Sequence, residues 1–139
     1  MKQSCRSLRC CLVLVGALAL LFPLTLNVAA AEGLSVEDAA ICANVVDREP
    51  TDVGTSFPVS VGKLYCFTKI VGAQEPTEVS HVWYFGDEER ARVTLSVKAA
   101  NWRTYSSKIL QEHEVGSWRV EVLDADGNNL QTVDFEVVQ

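Results

Sequence analysis

Arg90-Ala91-Arg92-Val93-Thr94-Leu95-Ser96-Val97-Lys98 is the stretch that decides the fold. Ala91, Val93, Leu95 and Val97 fall on one side of it, against Arg90, Arg92, Thr94, Ser96 and Lys98 on the other. A period of two with one apolar side marks a strand half buried in an antiparallel sheet. The alternation returns in Ser117 to Leu123, where Trp118, Val120 and Val122 oppose Arg119 and Glu121. It returns again in Leu130 to Val138, with Val133, Phe135 and Val137 opposing Asp134 and Glu136. Asp126-Gly127 between these two runs supplies the positive φ that a hairpin connection needs.

Further out, Ala39 to Val46, Val61 to Val71 and Glu78 to Phe85 also read as strands, each closed by charged, glycine- or proline-bearing residues. Asp47 to Asp52 reads as a break, and Val53 to Pro58 as a loop or edge segment, because Pro58 cannot donate to a ladder. Trp102 to Leu110 is a further strand, but both its sides are mixed and neither is identified as inward. About seven strands, with no long helical period and no internal repeat, predict a single antiparallel β-sandwich, all-β and immunoglobulin-like.

Ahead of these strands, Met1 to Cys11 carries Lys2, Arg6 and Arg9 without an acid, and Leu12 to Phe22 is unbroken apolar sequence. Val28-Ala29-Ala30-Ala31 then offers small residues at the exit. Basic start, apolar middle and Ala-x-Ala end predict a secretory signal, residues 1–31, cleaved after Ala31. The competing reading is a retained anchor, since Leu12 to Ala31 has just the length of a span. Residues 32–38 read as a flexible lead-in, with Ser35 and Asp38 able to cap one helical turn. Residues 39–139 are the domain. The expected location is extracytoplasmic.

Removing 31 of 139 residues leaves 108, with all 18 acids and 9 of the 12 cations, a net charge of −9. Nucleic acid is a poor partner for such a chain, because phosphate binding needs clustered Lys and Arg. Membrane insertion after cleavage is not expected. Cys42 and Cys66 are the even pair that remains, and in an exported chain a disulfide between them is the expectation. Free reactive thiols are the alternative.

Chemistry-bearing motifs are sparse. His81 shares a strand side with Trp83 and Phe85, and reads either as a packed imidazole or as a ligand-contacting group beside an aromatic platform. Glu112-His113-Glu114 cannot aim three consecutive side chains at one metal in extended chain, and two histidines are too few for an ordinary zinc site. Asp124-Ala125-Asp126-Gly127-Asn128 has its glycine too early for a calcium loop. No Gly-x-Ser-x-Gly elbow is present. No catalytic residue, metal or cofactor is expected.

What remains is an aromatic and cationic set around Trp102-Arg103-Thr104-Tyr105-Ser106-Ser107-Lys108. Trp, Tyr and Arg are enriched at binding hot spots. Trp83 and Trp118 alternate as core residues, so the candidate binding residues are Trp102, Arg103, Tyr105, Lys108 and His81. The function expected is a non-enzymatic domain that binds protein or glycan through this face. Its alternatives are an enzyme or redox protein using His81 or the cysteine pair, and a purely structural module.

Several blocks occur together in this order: Arg48-Glu49-Pro50, Tyr65-Cys66-Phe67-Thr68, His81-Val82-Trp83-Tyr84, Trp102-Arg103-Thr104-Tyr105, Gly116-Ser117-Trp118-Arg119-Val120 and Phe135-Glu136-Val137. With them the mature chain resembles the domain of unknown function 2914 family. Tyr105 stands where the family pattern carries Trp. The resemblance implies a bacterial β domain, often exported or membrane-tethered, with no assigned chemistry, and so places the expected location in the periplasm or another extracytoplasmic space of a bacterium.

Overall fold

The computed structural model describes residues 33–139. The expected signal, 1–31, and its cleavage point lie outside them. Among these residues, nine strands form two packed sheets. The first contains β1 (Ser35–Val46), β2 (Glu49–Val53), β4 (Lys63–Val71) and β7 (Asn101–Ile109), in the order β2-β1-β4-β7. The second contains β3 (Ser56–Pro58), β5 (Thr77–Phe85), β6 (Glu88–Val97), β8 (Gly116–Leu123) and β9 (Asn129–Val138), in the order β3-β9-β8-β5-β6. The fold is therefore the expected β-sandwich, with two short strands added and one pairing, β3 with β9, parallel rather than antiparallel.

The additions have local causes. Asp47 and Arg48 take φ of 51° and 61°, the left-handed pair of a type I′ turn, and so join β1 to β2 as a two-residue hairpin with Val46 opposite Glu49. No Asn-Gly marks that turn. Pro50 is tolerated because β2 is an edge strand. Ser35–Asp38, expected as a loose lead-in, is instead the start of β1, with Ser35 opposite Val71 and Asp38 opposite Lys69.

Alternation holds where it was read. Val97 is buried, and Ala91, Val93 and Leu95 are half-buried on the same side of β6. The core divides into two apolar clusters. One is built on Ile41, Leu64, Cys66, Trp83, Trp118 and Phe135, the other on Ile70, Val79, Val97 and Val122. Trp118 stacks on Phe135 at 6.0 Å, and Trp83 meets Phe135 edge-on at 6.1 Å. Rings this large supply much of the burial that stabilises a small domain, and truncating either Trp to Ala costs about 3–5 kcal/mol.

The expected disulfide is absent, and the register explains it. On β1 and β4, Ile41 faces Cys66 while Cys42 faces Tyr65. Directly opposed residues of an antiparallel pair share a face, and their chain neighbours point to the other. Cys66 therefore enters the core beside Ile41, and Cys42 points out of the opposite side of the sheet. Both are free, buried thiols. Burial pushes the pKa of each upward, Cys66 most.

Candidate functional site

The five residues singled out in the sequence do not converge; four of them fall in three places, and Tyr105 stands apart on the outer face. Pairing with β4 sets the faces of β7. Trp102, Thr104, Ser106 and Lys108 lie opposite the inward Ile70, Thr68, Cys66 and Leu64, so they face the core side. Arg103, Tyr105, Ser107 and Ile109 face outward. β7 was unreadable because its inner face carries two hydroxyls and a cation, while its outer face carries Tyr105 and Ile109, both substantially exposed.

The first place is the centre of the core. His81 is completely buried between Val79 of one apolar cluster and Trp83 of the other. Its Nδ1 lies 2.7 Å from Ser106 Oγ, and its Nε2 lies 3.1 Å from Thr68 Oγ1. Trp83 Nε1–H donates to Ser106 Oγ at 3.0 Å, and Thr68 Oγ1 lies 3.5 Å from the Thr104 carbonyl. One direction of protons satisfies every donor. Trp83 gives to Ser106, Ser106 to His81 Nδ1, His81 Nε2–H to Thr68, and Thr68 to the Thr104 carbonyl. The opposite tautomer leaves the Ser106 hydroxyl proton without one of these acceptors. Burial lowers the pKa of His81 to about 4, so the ring is neutral at ordinary pH.

A Ser–His contact of 2.7 Å has the geometry of a nucleophile and base. Here no carboxylate joins the hydrogen-bonded chain, the imidazole has no exposed surface, and Ser106 is only 5% exposed. The arrangement ties the two sheets together across an otherwise apolar interior. It belongs to the core.

The second place is the end of the sandwich near Gly116. Lys108 approaches Glu114 at 3.5 Å and lies 5.7 Å from the Trp118 ring centroid. Glu114 is 3% exposed; its carboxylate accepts the Gln111 N–H and its carbonyl accepts Trp118 Nε1–H. Lys108 thus closes the Gln111–Val115 loop. Glu112 and His113 point to solvent, away from Glu114, so that triplet gathers no ligands. In the β8–β9 turn, Asp124 accepts from the backbone of Asp126 and Asn128 and from the Asn128 side chain. Those bonds, the Asn128 side chain first, lower its pKa and use its oxygens internally.

The third place is an open groove of about 430 Å³. Pairing of β1 with β4 stops at Cys42, so a straight continuation would carry Asp47 and Arg48 away from Lys69 and Trp102 at about 3.3 Å per residue. Instead, Arg48 lies 5.9 Å from the Trp102 ring centroid, and Arg103 Nη1 is 2.6 Å from Glu49 Oε1. The β1–β2 hairpin is therefore folded back over the outer face of the first sheet, with Cys42 at its elbow. Its tip, Asp47 and Arg48, forms one wall of the groove. Lys69, Asn101, Trp102 and Arg103 form the other.

The groove gathers three cations. Lys69 is paired with Glu37 and Arg103 with Glu49; among the described residues no carboxylate lies within 4 Å of Arg48. Trp102 is half-buried, its inner side packed on the second apolar cluster. Tyr105 stands outside the groove, edge-on to Tyr65 at 5.9 Å. Trp102 and Arg103 were legible as candidates. Arg48, Asp47 and Lys69 were not, because only the backward fold of the hairpin brings them there.

Residues 76–137 match the family described as Protein of unknown function (DUF2914). The DUF2914 match spans β5 to β9, hence most of the second sheet, together with β7, Trp102 and Arg103. Arg48-Glu49-Pro50 and Tyr65-Cys66-Phe67-Thr68, which entered the resemblance on sequence, precede the matched stretch. So do Asp47 and Lys69 of the groove. No curated protein matches the chain.

Proposed function

We propose that this chain is an exported, non-enzymatic binding domain, and that it engages a protein or glycan partner through the groove between the β1–β2 hairpin and the start of β7. One observation carries the reading: Trp102 and Arg103 line an open groove together with Arg48 and Lys69. The competing catalytic pair, His81 and Ser106, is sealed in the core. Export rests on the basic, apolar and Ala-x-Ala organisation of the first 31 residues. Glu37 and Glu49 pair with two of the three cations there, so among the described residues Arg48 is the cation left for a partner to engage.

Photo-crosslinking in the native envelope tests the assignment. A partner captured by the wild-type chain is expected to be lost from the Trp102→Ala, Arg103→Ala double variant. Capture of the same partners at the same yield means that this groove is not the interface.

A further inference from the structure

The chemistry of the groove goes further than its position. We propose that its ligand is a carboxylated sugar, of the uronic-acid type, whose carboxylate is held by Arg48 and Arg103 against the Trp102 ring. The inference rests on the binding role proposed above and names the ligand class for that site.

Arg103, on the wall of the groove, already holds one carboxylate from outside the lining, that of Glu49. Glu49 reaches Arg103 at 2.6 Å, which shows that this guanidinium is presented to receive such a group. Glu49 and Arg103 are both well exposed, at 55% and 43% of their side chains, so the pair is held weakly and an incoming carboxylate can exchange with it. Arg48 sits within cation–π range of Trp102 and carries no carboxylate among the described residues. Its backbone is held at positive φ by the turn, which fixes the direction in which the side chain leaves the hairpin. A cation held so, with no counter-charge of its own, is the group from which a ligand gains most.

The remaining lining favours a sugar over an acidic peptide. Asp47 and Asn101 bring an acceptor and an amide to the same space, partners suited to ring hydroxyls. A uronate carries a single carboxylate among several hydroxyls and an apolar ring face that packs on indole. The volume of about 430 Å³ admits one or two such rings.

The indole N–H groups make the test direct. Those of Trp83 and Trp118 are bonded inside the core, to Ser106 and to the Glu114 carbonyl, so the Trp102 signal alone should respond to ligand. Mature protein labelled with ¹⁵N-tryptophan is titrated with trigalacturonate, with maltotriose, and with a capped pentaglutamate peptide. The expected result is a saturable shift of the Trp102 signal with trigalacturonate, weakened by salt, and at least tenfold weaker binding of maltotriose. Arg48→Gln and Arg103→Gln should each weaken binding at least tenfold while leaving the Trp83 and Trp118 signals in place, which reports an intact fold. Equal binding of maltotriose overturns the carboxylate assignment. Binding of the peptide but not the uronate overturns the sugar while leaving the groove as the site. No response to any probe overturns the inference outright. The binding role itself stands or falls separately, on the crosslinking result.

Discussion

His81 is a fully buried imidazole, the packed one of the two readings its sequence position allows. Its neutral ring both accepts and donates in the core chain, and a proton added to it must be carried without water. With a folded pKa of about 4 against an ordinary value near 6.5, the unfolded chain takes up the proton first as pH falls. The contribution to stability is whole above about pH 6.5 and is lost progressively as pH drops toward 4, about 3 kcal/mol in all. Urea unfolding at pH 7 and pH 4.5 measures the loss, and the His81 ring signals in NMR should show no titration between pH 8 and 5. A ring that titrates near 6.5 contradicts the buried, neutral imidazole. Ser106→Ala should cost about 1–3 kcal/mol, since it leaves Trp83 Nε1 and His81 Nδ1 without their partner. The two thiols make a parallel case: both should resist Ellman's reagent in the native protein and react once it is unfolded, whereas fast native labelling would revive a redox role.

At the level of elements, the β1–β2 hairpin departs most from what the residues announce. Asp47 and Arg48 occupy the two left-handed positions of a turn that favours Asn-Gly. Replacing them by Asn-Gly should raise stability by about 1 kcal/mol, read as a higher denaturation midpoint, and should weaken uronate binding because Arg48 is gone. Strained backbone at a binding element is the usual exchange of stability for placement. A variant that gained neither stability nor a binding defect would show that the turn is neither strained nor part of the site. Strand β7 makes the complementary point. Alternation identified it as a strand but could not orient it, because its inward face carries Thr104, Ser106 and Lys108, and the last two turn to specific polar partners rather than to apolar ones.

For the whole molecule, the extent of the family match has a physical consequence. Residues 76–137 contain β5, β6, β8 and β9 but only β7 of the first sheet. Cut there, the second sheet would lose Ile41, Leu64, Cys66 and Ile70 from its core, and β7 would lose β4, its sole partner. A fragment of residues 76–139 should therefore fail to fold on its own, giving an unfolded far-ultraviolet CD spectrum and no cooperative melt, whereas 33–139 should melt as one unit. A cooperative transition in the short fragment would mean that the matched stretch is a domain by itself.

Strand content, the core roles of Trp83 and Trp118, and the two-sheet class were legible in the sequence, because a period of two and the burial of large rings are local properties of the chain. Trp102 and Arg103 could be named as candidates for the same reason: their residue types are informative wherever they lie. The pairing of the cysteines could not be settled there, since register by a single residue decides which face a thiol takes. Nor could the groove. It exists because a hairpin without a turn signature folds back across the sheet and sets Asp47 and Arg48 beside residues more than fifty positions away in the chain. Local patterning is written in the order of residues, while the meeting of distant side chains is decided only when the sheets pack.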